Sequence, residues 1–161
     1  MRKILTLLAS LFIALSSWSQ QTSSSASQMR EEIAHSGAKT VVKQLQSGSG
    51  RSWKNLLSNI ESGNGEWLQV AVAIRPGVDA STGEDLTFAI ASALRKNPVT
   101  VLKLIGPGFP LEHVCDVPLI EPNDAQVAAW KRDALAALSR VKDPTLTDKV
   151  LHCRAALNAV K

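Results

Sequence analysis

Apolar residues recur every three or four positions over most of the chain beyond residue 28, the spacing of one face of an α-helix. The densest such stretch is residues 81–105, and the pattern places it at the centre of the fold. Leu86, Ala89, Ile90, Ala93 and Leu94 share one helical face, preceded by two reciprocal capping pairs, Ser81 with Glu84 or Thr82 with Asp85. Asn97-Pro98 then punctuates the run. Asparagine is suited to cap a new helix, and proline to open it, because the first helical N–H has no partner to lose. Two consecutive helices joined at a tight corner are predicted.

Before this pair, residues 28–47 carry Met29, Ile33, Val41, Val42 and Leu45 at helical intervals. Gly37 weakens the middle of that run by about 1 kcal/mol relative to alanine and admits a break there. Ser52 is placed to cap the next helix, with Trp53, Leu56, Leu57 and Ile60 on one face and Ser62-Gly63-Asn64-Gly65 closing it. The apolar run of residues 66–75 suits a buried helix or a buried strand, since periodicity alone does not separate them over so short a length. Its alanines and the lack of a partner strand favour a helix.

The same choice arises for residues 99–105, which are rich in β-branched side chains; Pro98 at the start favours a helix. Gly106-Pro107-Gly108-Phe109-Pro110 is a turn, and Pro110, Pro118 and Pro122 make residues 111–122 an extended connection rather than a helix. A long helix is expected from Asn123 to about Val141, with Val127, Trp130, Ala134, Leu138 and Val141 inward. Asp143-Pro144 opens a last helix whose apolar set, Leu146, Val150, Cys153, Leu157 and Val160, is the most regular stripe in the chain. Ala93-Leu94 ahead of Asn97-Pro98 recurs loosely as Ala137-Leu138 ahead of Asp143-Pro144, at a displacement in the range of paired-helix repeats.

The N-terminus belongs to a different class. Arg2 and Lys3 precede an apolar run over residues 4–15, followed by Ser16-Ser17-Trp18-Ser19, the signature of a secretory signal peptide cleaved after Ser19. The run is shorter than the roughly 20 residues of a spanning helix, and no cysteine lies near the site for lipid attachment. Residues 1–19 are read as the signal, residues 20–27 as a disordered Ser-rich leader, and residues 28–161 as a single domain. The protein is thus expected to be exported, periplasmic or secreted, in a bacterium, with no membrane association after cleavage. Loss of Arg2 and Lys3 leaves 16 basic against 14 acidic residues, spread along the chain, and tyrosine is absent. Nucleic-acid binding has neither an electrostatic stripe nor a stacking platform here.

Two cysteines, Cys115 and Cys153, remain in the mature chain. In an oxidising compartment they are expected to form a disulfide, worth roughly 4 kcal/mol in the loop-entropy model. His113, Cys115, His152 and Cys153 are also the right ligand types for zinc or copper, but His152 and Cys153 are helix neighbours about 100° apart, and the spacing fits no paired-ligand pattern. Asp79, Glu84 and Asp85 could hold a cation, although helix-dipole stabilisation accounts for Glu84 and Asp85. Trp53, Trp67 and Trp130 are assigned to the core. There is no H-E-x-x-H helix, G-x-S-x-G elbow or phosphate-binding loop, so no catalytic residue and no cofactor is assigned.

These features predict an all-α protein of six or seven helices, packed as an irregular bundle or a short HEAT-like array and strapped by one disulfide. An export signal, a helical domain and the Cys115/Cys153 pair are together similar, in architecture, to the small periplasmic immunity proteins that block secreted bacterial cell-wall amidases. That resemblance rests on size, export, helicity and the pair, with no family motif, and it transfers no inhibitory residue. It implies a non-enzymatic binding protein, of inhibitor or immunity type, whose partner is another protein. The alternative is a metal-handling or thiol-redox protein built on His113, Cys115, His152 and Cys153.

Overall fold

The computed structural model describes residues 25–160; the expected signal peptide, residues 1–19, and residues 20–24 of the expected leader lie outside them. Among the described residues the secondary structure is entirely helical apart from turns and one isolated bridge, with nine α-helices rather than six or seven. The helices are α1 (Ala26–Ser36), α2 (Ala38–Gln46), α3 (Arg51–Glu61), α4 (Gly65–Ile74), α5 (Ala80–Ala93), α6 (Pro98–Leu104), α7 (Leu111–Val114), α8 (Asp124–Leu138) and α9 (Thr147–Ala159). Short 3-10 turns at Arg75–Gly77 and Pro144–Leu146 precede α5 and α9.

Local chemistry explains most of the boundaries. Ser25 and Gln28 form a capping box, so the first helix begins inside the stretch read as leader. Gly37, at φ 82°, breaks the run of residues 28–47 into α1 and α2. The Ser52 cap is not used: α3 starts two residues earlier than that cap would place it, behind Gly50 in a left-handed conformation with no side-chain cap. Asn64 caps α4 through the N–H groups of Glu66 and Trp67, and residues 66–75 are accordingly helical. Neither predicted pair caps α5. Asp79 does, accepting from the Thr82 N–H at 2.9 Å while Thr82 Oγ1 accepts from the Asp79 N–H at 3.0 Å. An aspartate one residue before the helix reaches the third N–H; Ser81 and Thr82 already lie within the first turn.

The Asn97-Pro98 corner is as expected. Asn97 Oδ1 accepts from the Thr100 N–H, and its amide donates to Gly63 O at 2.9 Å, which ties the corner to the end of α3. The carbonyls of Leu102 in α6 and of Ile105 just after it accept from Lys149 Nζ, at 3.0 and 2.9 Å, so α9 caps α6 from outside. Gly106 and Phe109 exchange backbone hydrogen bonds across the predicted turn. Two assignments change beyond it. Residues 111–114 form one helical turn, because Pro110 is a permissible helix start and the His113 and Val114 N–H groups return to its carbonyl. The long helix α8 ends at Leu138 rather than near Val141, and Val127 and Val141 are half-buried rather than inward.

The centre of the fold is α4 more than α5. Leu68, Val70, Ala71 and Ile74 are fully buried, and α4 packs against α1, α2, α3, α5 and α6. In a repeat array each pair meets only its neighbours; here one helix is enclosed by elements from both sides of the chain, so the molecule is an irregular bundle. Helix α5 lies beside α4, packs on α3 and α7, and buries Leu86, Ala89, Ile90, Ala91 and Ala93. Trp53 and Trp130 are core residues, and Trp67 packs against the core half-buried.

Candidate functional site

The cysteine–histidine cluster resolves into a structural bond. Cys115, just after α7, is joined to Cys153 on α9, with 5.1 Å between their Cα atoms. Both residues are buried and neither is free. Helices α7 and α9 pack together around the bond, so the irregular residues 115–123 are anchored at their start. His113 and His152 are exposed. The sulfurs bond each other rather than a metal, and among the described residues no group of three or more histidine, cysteine or acidic side chains is arranged to hold an ion. A buried disulfide fits an oxidising compartment. Among the described residues no helix is long and apolar enough to cross a membrane.

The acidic cluster divides. Asp85 turns toward α3, where Trp53 Nε1 donates to its carboxylate at 3.1 Å. Asp79 and Glu84 face the other way, into a cleft of about 390 Å³ between the first turns of α5 and the Pro110–Asp116 side of the molecule. His113 and Asp116 line the opposite wall, while Phe88 and Pro110 supply apolar surface. Phe88 is 37% exposed, one of five large apolar side chains left to solvent among the described residues.

Arg75 supplies one positive charge to this cleft. Its Nε donates to Gly108 O at 2.6 Å, its guanidinium lies 5.7 Å from the Phe109 ring centroid, and its Nη1 passes over Gly83. The guanidinium thereby clamps the 3-10 turn before α5 to the turn after α6, a hydrogen bond reinforced by a cation–π contact. Three acidic side chains, Asp79, Glu84 and Asp116, share the cleft with this one guanidinium. The Thr87 hydroxyl in its wall is bonded to Gly83 O at 2.7 Å.

Asp79 shapes the electrostatics of the cleft. The Thr82 backbone N–H, and then its hydroxyl, hold the Asp79 carboxyl below its ordinary 3.8. At Asp143, before the last helix, the Thr145 hydroxyl and backbone N–H, with Lys103 nearby, act in the same direction. A depressed folded pKa stabilises the native state above the unfolded value, and the gain is lost as pH falls through the folded value. Melting temperature is therefore expected to fall as pH drops from 4 toward 2. In an Asp79→Asn/Asp143→Asn variant, whose caps stay neutral, that fall is shallower; a series of thermal melts across this range measures it.

The structure thus unites Cys115 with Cys153, brings His113, Asp79 and Glu84 to one cleft, and leaves His152 and Asp85 elsewhere. Arg75, Phe88 and Asp116 were not singled out by sequence reasoning. Arg75-Pro76-Gly77 shows in the chain only as a helix stop, and its partner, the Gly108 carbonyl, is 33 residues away. No family model matches the chain, and no curated protein and no solved structure matches it.

Proposed function

We propose that this is an exported, non-enzymatic interaction protein that receives a partner protein at the cleft between α5 and α7. The supporting observation is the cleft itself: Asp79, Glu84 and Asp116 line it together with the partly exposed Phe88, beside the Arg75 clamp and the Cys115–Cys153 bond. Such a wall suits a basic segment with an apolar side chain, since charge complementarity steers encounter and a seated aromatic anchors it. Inhibition of a secreted enzyme, the immunity type of action, is the narrower form of this reading. A metal or thiol-redox role finds less support, because exchange needs an accessible sulfur and metal binding a thiolate, and here both sulfurs are buried in one bond.

The test is capture from an extract of the source cell envelope, using wild-type protein, a Glu84→Lys/Asp116→Lys variant, and a Glu31→Lys/Glu32→Lys control on the exposed face of α1. Wild type and control are expected to retain the same protein, and the cleft variant to lose at least tenfold of it. Equal retention by all three would remove the cleft from the account.

A further inference from the structure

Helix α8 is the longest in the bundle, yet its principal packing partner is α9. Trp130, Ala134, Ala137 and Leu138 are its buried residues. Beside them runs a mainly apolar strip, on which Val127, Ala128 and Leu135 are accompanied by Asp124, Lys131 and Arg132. Lys131 Nζ donates to Val160 O at 2.5 Å, so its ammonium is held at the end of α9.

The charges on this strip are arranged about a centre. Asp124, Ala128 and Arg132 are spaced four residues apart, so they form one ridge with Ala128 in the middle and opposite charges about 6 Å to either side along the axis. Setting a second α8 antiparallel across a twofold axis at Ala128 places Asp124 of each copy against Arg132 of the other. The same operation carries Leu135 toward the start of the second helix. A twofold interface requires a surface complementary to itself, and the Asp124–Ala128–Arg132 ridge has that property in its charges, while Lys131 is engaged by Val160 O within its own chain.

We propose that a second copy of this chain covers the α8 strip, forming an antiparallel homodimer centred on Ala128. The strip is smaller than the roughly 800 Å² per partner of a standard stable interface, so the dimer is a weak one that forms as concentration rises. Arg132 also contacts its exposed neighbour Asp133 at 3.2 Å; a surface pair of this kind is worth little and is readily exchanged.

Sedimentation velocity over 10 µM to 1 mM tests the proposal with four proteins: wild type, Asp124→Arg, Arg132→Asp, and Asp124→Arg/Arg132→Asp. Wild type is expected to shift from monomer toward dimer with concentration. Each single variant, which opposes like charges twice, is expected to need at least tenfold more protein for the same shift, and the charge-swapped double variant to recover it. Both positions are exposed, and a thermal melt of each variant verifies that it is folded. A wild type that stays monomeric to 1 mM would overturn the proposal. So would single variants that dimerise like wild type, or a double variant that fails to recover.

Discussion

Replacing both Cys115 and Cys153 with alanine is expected to destabilise the protein by about 4 kcal/mol, lowering the urea midpoint by roughly 2 M at an m-value typical of a domain this size. The bond closes a loop with a sequence separation of 38 residues, and its loss restores that freedom to the unfolded chain. Both sulfurs are buried, so alanine also removes packed atoms between α7 and α9. Since small domains are stable by only about 5–15 kcal/mol, the alanine variant should unfold at markedly lower temperature. The effect should be greatest where α7 holds the wall of the cleft. Amide hydrogen exchange is expected to show the first loss of protection in residues 111–123 and in α9. A urea midpoint within about 0.5 M of wild type would mean that the reduced chain already holds this region in place.

Gly77→Ala is expected to be nearly as damaging, for a different reason. A Cβ at Gly77 would stand well inside van der Waals contact of the Ala38 carbonyl and the Lys39 nitrogen. These are backbone atoms at the start of α2, and a rotamer change cannot move them aside. The 3-10 turn must therefore separate from α2, disturbing the clamp that Arg75 makes from the same turn, at a cost of about 3 kcal/mol. Gly65→Ala is the matched control. Nothing lies within 4 Å of a Cβ there, and the residue opens α4, so alanine should stabilise the helix by about 0.5–1 kcal/mol. Urea denaturation of the two variants beside wild type reads both effects; equal midpoints would refute the close approach of the turn to α2.

These two sites mark how far the sequence could be read. Cysteine parity in a chain with a signal-like N-terminus predicted the Cys115–Cys153 bond, and Asn97-Pro98 announced its corner because cap and proline chemistry act within four residues. Residues 66–75 were predicted helical, but their place at the middle of the bundle was not, since it depends on which faces of α1, α2, α3, α5 and α6 close around them. At α5 the capping motif had several local solutions. Asp79 prevailed over Ser81 and Thr82 because the helix begins at Ala80, one residue after it. The one-turn helix α7 was hidden by the neighbouring prolines, which are compatible with a helix start as well as with an extended chain.

Of the candidate site, only Asp79, Glu84 and His113 were visible. Glu84 and Asp85 are sequence neighbours, and packing alone sends one into the cleft and the other to Trp53. The close fit that excludes a side chain at Gly77 is likewise a tertiary fact; in the sequence, Arg75-Pro76-Gly77 reads as an ordinary stop.

Export and the disulfide together underlie the interaction reading, and the intact mass of the native protein tests them in one measurement. Protein recovered from the cell envelope or medium would be treated with an alkylating reagent under non-reducing, denaturing conditions and weighed. A chain that begins at Gln20, weighs two hydrogens less than its reduced form and takes up no reagent is the predicted result. A chain still carrying residues 1–19 and alkylated at both cysteines would contradict the account.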